Sequence, residues 1–206
     1  MPKRIDHEER KEKILKTALD VFAKEGYRDS NLSLIAEECG LSRPTIYQYF
    51  KDKDEIFYYA VKLVTSRMFT RYGAIAWDET YGDCIQRIEY ICNDVIDTAV
   101  KNEAALQSLM DVMLQSKRDH VDFSQLIVKR TIKLTILFKR LLNAANQRGE
   151  TAGCDVDKVS NHIFTLLEAF CFQIAFLGNF SSSDSKDFVA TYLNAYRAQK
   201  HEPETR

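Results

Sequence analysis

Helix-breaking residues are scarce in this chain. Seven glycines and three prolines stand among its 206 residues, and two of the prolines, Pro2 and Pro203, lie near the ends. So little punctuation over so long a stretch argues for helices. Apolar residues make up 45% of the sequence and are spread along it, which supports a folded core rather than disorder. No alternating strand pattern and no internal repeat is present, so the expected class is all-α.

Apolar stripes at three- and four-residue spacing place the helices. Ile14, Leu15, Ala18, Val21 and Phe22 mark a first helix over residues 8–24, stopped by Gly26. Ser30 or Asn31 caps a second, with Leu32, Ile35 and Ala36 turned inward, and it ends at Cys39 and Gly40. Ser42 or Arg43 caps a third, and Pro44 fits its first turn because a proline there loses no needed N–H. Asp52 caps a fourth, with Asp54 and Glu55 placed where negative charge suits the helix dipole. That helix reaches Tyr72, and its face Phe57, Val61, Val64 and Met68 is expected to pack on the part of the chain that follows. Further helices are expected over residues 83–99, 103–114, 121–148, 155–178 and 184–199. The expected domains are therefore 1–52, a connecting helix 53–72, a helical body 73–200 and a tail 201–206.

Several function classes fall away. The start, MPKRIDHEERKEK, lacks the apolar core of a signal peptide. The most apolar stretch, Ile163 to Gly178, contains Glu168 and Gln173 and is shorter than the roughly 20 residues of a spanning helix. It reads as a buried helix of a soluble, cytoplasmic protein with no membrane partner. The five cysteines are odd in number and form no CxxC pair, and the four histidines form no HExxH, so neither a disulfide framework nor a metal is expected. No nucleophile–base pair and no Gly-rich phosphate loop is evident, which argues against an enzyme and gives no reason to expect a cofactor. The net charge is −1, and residues 1–62 hold twelve Lys/Arg against twelve Asp/Glu. A nucleic-acid reading must therefore rest on particular residues.

Those residues lie around Cys39-Gly40-Leu41-Ser42, a tight turn joining the second and third expected helices in the helix-turn-helix layout. Ile46 and Phe50, four apart, pack inward and turn Arg43, Pro44, Tyr47 and Gln48 outward, with Thr45 and Tyr49 as a flanking row. A row rich in Arg, Thr, Tyr and Gln suits contact with phosphates and base edges. Lys53 sits at the positive end of the fourth helix, which is itself favourable for an anion.

The segment LSLIAEECGLSRPTIYQYFKDKDEIF resembles the DNA-binding module of the TetR family of bacterial regulators. The resemblance is carried by Ile35-Ala36, Gly40-Leu41-Ser42 and Thr45-x-Tyr47-x-x-Phe50-x-x-Lys53, with support from Ile14 through Phe22 to Gly26-Tyr27. It implies an N-terminal three-helix DNA-binding domain followed by a helical ligand-binding and dimerisation domain. It assigns Thr45, Tyr47, Tyr49 and Lys53 to phosphates, and Arg43, Pro44 and Gln48 to bases. Asn31 and Ser33 stand where the family often touches DNA, and Tyr49 replaces a histidine found in some members. The partners implied are a double-stranded palindromic operator, a second copy of the chain and a small-molecule effector that releases a repressor. The alternative is a regulator governed by a protein partner or another signal.

In the body, apolar residues from Ile163 to Leu177 run all round one helix, which must then be covered on every side, as the central helix of a monomer or, as the resemblance implies, partly by a second subunit. The interface candidates are Phe170, Ile174 and Leu177, with Phe188, Tyr192 and Tyr196 from the last helix. A ligand pocket is largely apolar with a few polar groups, so Phe138, Phe164 and Phe172, with Glu168 and Gln173, are the candidates for lining it.

Overall fold

The computed structural model describes the backbone of residues 2–119 and 124–198, and side chains over 7–114 and 132–198. Nine α-helices are present among the described residues: α1 Pro2–Glu25, α2 Leu32–Cys39, α3 Arg43–Tyr47, α4 Lys53–Trp77, α5 Cys84–Lys101, α6 Glu103–Asp119, α7 Ser124–Gln147, α8 Val156–Phe176 and α9 Ser182–Asn194. A 3-10 turn, Glu79–Tyr81, absent from the sequence reading, follows α4. The first helix starts six residues before its expected beginning at Glu8, and the fourth runs five residues past Tyr72. The expected start of the seventh helix, at Val121, falls outside the described residues.

Two compact units emerge. One comprises Met1–Met68 with Asn102–Lys129, the other Phe69–Lys101 with Arg130–Arg206. The chain therefore passes between them within α4, at the α5–α6 junction and within α7. The expected boundaries put residues 73–200 in one body, whereas α6 belongs with the N-terminal helices.

The first unit is built on the α1 stripe. Ile14, Leu15, Ala18, Val21 and Phe22 are buried with Ile35, Ala36 and Cys39 of α2, Ile46 and Phe50 of the α3 segment, and Ile56, Phe57 and Ala60 of α4. Each such side chain removed from water contributes roughly 1.5–3 kcal/mol. The rings of Phe22, Tyr27 and Phe57 lie 5.2–5.6 Å apart, edge-on or tilted, as aromatic quadrupoles prefer. Helix α6 packs on α1, with Val112 buried in the same core. Of the α4 face expected to meet the body, Phe57 lies in this core and Val61 packs against it, while Val64 is 40% exposed. In the second unit α4 instead buries Tyr72, Ile75 and Ala76. The expected stripe steps by four, three and four residues, and Phe57 and Val61 fall on the side of α4 that closes the N-terminal core.

The second unit is centred on α5, which packs on α8 and α9. Ile85, Ile88, Ile91, Cys92 and Ile96 are buried there with Phe138, Leu142, Ile163, Leu167 and Leu193. Buried Arg87 donates to the Ala76 carbonyl at 2.8 Å, capping the C-terminal end of α4. Asn146 organises the α7–α8 loop: its Oδ1 accepts from the Cys154 N–H at 3.1 Å and its Nδ2 donates to the Cys154 carbonyl at 2.9 Å. Helix α8 has 21 residues and is long and apolar enough to cross a membrane by composition. Here one face, with Ile163, Leu167, Phe170 and Ile174, lies in the core of the unit, while Asn161, His162, Glu168 and Gln173 are exposed.

Candidate nucleic-acid interface

Local chemistry fixes the turn between α2 and α3. Gly40 adopts φ 67°, the left-handed conformation that glycine reaches without a Cβ penalty. The Leu41 N–H then reaches back to the Ala36 carbonyl at 2.8 Å and closes the end of α2. Between the two cap candidates for α3 the structure selects Ser42, whose Oγ accepts from the Thr45 N–H at 3.3 Å. For α2 it selects Asn31, whose Oδ1 accepts from Ser33 and Leu34 N–H at 2.9 and 3.0 Å. Asp52 Oδ1 accepts from the Glu55 N–H at 2.8 Å at the start of α4.

Helix α3 is short, but the chain continues to coil after it, with the Phe50 N–H bonded to the Ile46 carbonyl at 3.0 Å. Ile46 and Phe50 are buried, and Arg43, Pro44, Tyr47 and Gln48 are exposed beside half-buried Thr45 and Tyr49. Arg43 Nη2 donates to the Tyr47 hydroxyl at 3.2 Å, and the guanidinium lies 5.6 Å from the ring centroid. The two are thus held together before any partner arrives. Ser30, Asn31, Leu32, Ser33, Arg43 and Lys53 line an open groove of about 480 Å³. Residues named from α2, α3 and α4 are brought to one place, since Asn31, Ser33, Arg43 and Lys53 share this groove.

Two details could not be read from residue types. The Lys53 Nζ donates to the carbonyls of Tyr27, Ser30 and Arg28 at 2.6, 2.9 and 3.3 Å. Desolvation by burial lowers its pKa despite the nearby carboxylates of Asp54 and Asp29. His7, not singled out by any motif, stacks on Tyr49 with ring centroids 4.5 Å apart and adds an α1 residue beside the α3 row.

The body candidates divide. Phe138 is fully buried and Phe164 half-buried, while Glu168, Phe172 and Gln173 are exposed. Helix α8 covers one of its faces with its own unit and leaves the other exposed. For the same reason Phe170 and Ile174, expected at the interface, lie in the core of their own unit at 8% and 4% exposure. Phe172, Phe176, Leu177 and Phe188 are instead 48–53% exposed. Half-buried Tyr192 and Tyr196 are joined by a 3.2 Å hydrogen bond, and the Tyr192 hydroxyl lies 2.9 Å from His162 Nδ1. Among the described residues two buried side-chain polar atoms lack a hydrogen-bond partner, the Tyr72 hydroxyl and Asn93 Oδ1. Burial, reinforced by the neighbouring Asp94 carboxylate, pushes the Tyr72 phenol up.

The fold and the groove together define a helix-turn-helix module joined to a helical body. Residues 14–60 match the sequence profile of the bacterial regulatory proteins of the tetR family. Over this segment the chain is similar to the TetR family of bacterial regulatory proteins. It is 37% identical over 76 residues to the HTH-type transcriptional regulator PksA of Bacillus subtilis, covering 37% of each chain. It is 27% identical over 124 residues to the HTH-type transcriptional regulator YerO of the same organism, covering 60% of this chain. The match spans 37% of the length of either relative. Among solved structures, a TetR transcription regulator from Haloarcula marismortui superposes with a TM-score of 0.83 at 16% identity, over 93% of this chain and 100% of that one. The transcriptional regulator FadR from Bacillus subtilis, in complex with stearoyl-CoA, gives 0.71 at 20% identity over 88% and 96%. At these identities the structures speak for the fold.

Proposed function

We propose that this protein regulates transcription by binding a palindromic DNA operator as a homodimer, and that it acts in the cytoplasm as a repressor released by a small molecule. The observation that carries the reading is the exposed row Arg43, Pro44, Tyr47 and Gln48, held out by buried Ile46 and Phe50 on the second helix of a helix-turn-helix. Phosphate contacts are assigned to Thr45, Tyr47 and Tyr49, and base contacts to Arg43, Pro44 and Gln48, with Asn31 and Ser33 at the edge of the groove.

Dimerisation is supported by Phe172, Phe176, Leu177 and Phe188, large apolar side chains left exposed on α8 and α9. Tyr192 and Tyr196 extend this candidate interface. A small-molecule effector is supported by the stearoyl-CoA bound in FadR and by the unpaired Asn93 Oδ1 in the body unit. Unsatisfied buried polar atoms are costly, and a ligand with matching polar groups would relieve them. A second reading, control by a protein partner, draws on exposed Trp77, Tyr81 and Tyr90 around the end of α4, since aromatic side chains are enriched where proteins meet.

Two measurements test the proposal. Selection from random duplex DNA should return a paired site. A thermal-shift screen against metabolites, followed by operator affinity with each hit, should then find a compound that lowers affinity. If no compound does so, the protein-partner reading replaces the effector.

A further inference from the structure

We infer that the end of α4 and the turn after it form a docking surface for an arginine-bearing segment of another protein. Trp77 closes α4, Tyr81 ends the 3-10 turn Glu79–Tyr81, and Tyr90 stands on α5. All three belong to the second unit. Trp77 is 78% exposed, the most of any large apolar side chain among the described residues, with Tyr81 at 38% and Tyr90 at 40%. The two tyrosine rings meet edge to face with centroids 4.7 Å apart. Tryptophan and tyrosine are the side chains on which binding energy concentrates where proteins meet.

The backbone beneath them is ordered in advance. Asp78 Oδ1 accepts from the Thr80 N–H at 2.9 Å and from the Thr80 hydroxyl at 2.7 Å. The Gly82 N–H reaches the Glu79 carbonyl at 3.0 Å, and buried Arg87 holds the Ala76 carbonyl at 2.8 Å. The residues on either side of Trp77 are therefore fixed before a partner arrives. Less ordering entropy is then lost on binding, which favours the complex.

Charge decides the chemistry of the occupant. From Trp77 to Asp83 the chain carries Asp78, Glu79 and Asp83 and no base. Asp83 is paired with Arg197 at 2.6 Å, which leaves Asp78 and Glu79 at the surface. Hydrogen bonds from Thr80 hold the Asp78 carboxyl below the usual carboxylate range, so it stays charged at neutral pH. Glu79 pairs with Arg148 at 3.0 Å, but the two side chains are 70% and 50% exposed. A pair so exposed contributes little and yields readily to a better partner. Arg87 is occupied with the Ala76 carbonyl, and Arg71 with Asp94. A guanidinium from outside matches both features, since its plane lies over an aromatic face while its N–H fork meets a carboxylate. A lysine brings the charge without the plane, and a polyanion meets like charge. Any consequence for transcription rests on control by a protein partner, the second reading above; the surface itself does not.

Trp77 is the single tryptophan of the chain, so its fluorescence reports this surface alone. The full chain, without DNA, is titrated with a short blocked peptide alternating arginine and glycine. Matched peptides carry lysine, serine or glutamate in place of arginine. A saturable change in Trp77 emission is expected with the arginine peptide, with affinity lower by about two- to fivefold for the lysine peptide. No saturable change is expected with serine or glutamate. Tyr81→Ser and Tyr90→Ser are each expected to weaken the arginine peptide by about two- to fivefold, with thermal unfolding as the check on folding. Glu79→Gln is expected to weaken it as well and to make its affinity less dependent on salt. The inference is overturned by no saturable change up to about 1 mM arginine peptide, or by equal affinity for any of the other peptides. Wild-type affinity in both tyrosine variants overturns it too. If either variant fails to fold, the peptide series on the wild type decides. Failure of the wild type to bind any duplex removes the regulatory reading and leaves the titration standing.

Discussion

The Ser108 hydroxyl donates a 2.6 Å hydrogen bond to the Phe22 carbonyl, joining α6 to α1 across 86 residues of sequence. Both residues are buried, and Val112, one turn further along α6, fills the same core. The N-terminal unit therefore includes α6, packed on α1 as an integral wall.

Removing that wall should weaken the head without touching its exposed row. Val112→Ala is expected to cost about 1–3 kcal/mol through lost burial and the cavity left behind. Ser108→Ala is expected to cost about 1 kcal/mol, the usual net value of one hydrogen bond. Denaturant unfolding followed at the N-terminal unit checks both. Wild-type stability in Val112→Ala would mean that α6 is not part of that core.

Arg43 and Tyr47 should not behave independently. Arg43→Ala is expected to relax the base preference at one operator position, by about 1–3 kcal/mol of discrimination. Tyr47→Phe is expected to weaken binding to all sequences, and also to release the guanidinium from its 3.2 Å hydrogen bond. A double-mutant cycle on operator affinity should therefore show coupling. Strict additivity would place the two residues on separate contacts.

The two faces of α8 should separate in mutation. Phe176→Glu, on the exposed face, is expected to yield a folded monomer by sedimentation. Phe170→Ala, on the buried face, is expected to cost about 3–5 kcal/mol of stability. Dissociation by Phe170→Ala with no loss of stability, or an intact dimer in Phe176→Glu, would assign the faces the other way.

Partial desolvation holds the carboxyl of Glu168, exposed on α8, above its ordinary value. A group with a raised folded pKa binds its proton more tightly when folded. Its stabilising contribution is full below the unfolded pKa and is lost as the pH rises through the folded one. Glu168→Gln is therefore expected to be more stable than wild type at neutral pH, with the difference shrinking in acid. Thermal unfolding across pH 4 to 8 (roughly the span of the titration) checks the sign, and an unchanged profile would remove Glu168 as a contributor.

Legibility followed how local the determining interactions are. The turn through Gly40 and the outward row of α3 depend on neighbours within a few residues and could be read from spacing, which narrowed the α3 cap to Ser42 or Arg43. The place of α6 could not, because its partner Phe22 lies 86 positions away and a short apolar helix fits many walls. Within α8, Phe170 and Ile174 could not be told apart from Phe172 and Phe176, because apolar side chains all round a helix do not say which face meets which neighbour. Lys53 was legible as a positive charge at the head of α4, but its partners are backbone carbonyls, which carry no residue-type signature. His7 beside Tyr49 was invisible for a similar reason, since α1 meets the α3 row only in the folded unit.

Regulation as proposed requires a symmetric pair of α3 rows to read DNA. Selection of bound sites from random duplex DNA, with wild type and Arg43→Ala in parallel, separates this from reading by a single copy. An inverted repeat is expected, its half-sites about one helical turn apart (~34 Å) or somewhat wider, with loss of preference at the same position in both halves for Arg43→Ala. Enrichment of a single unpaired half-site, or an identical motif from the Arg43→Ala protein, would contradict it.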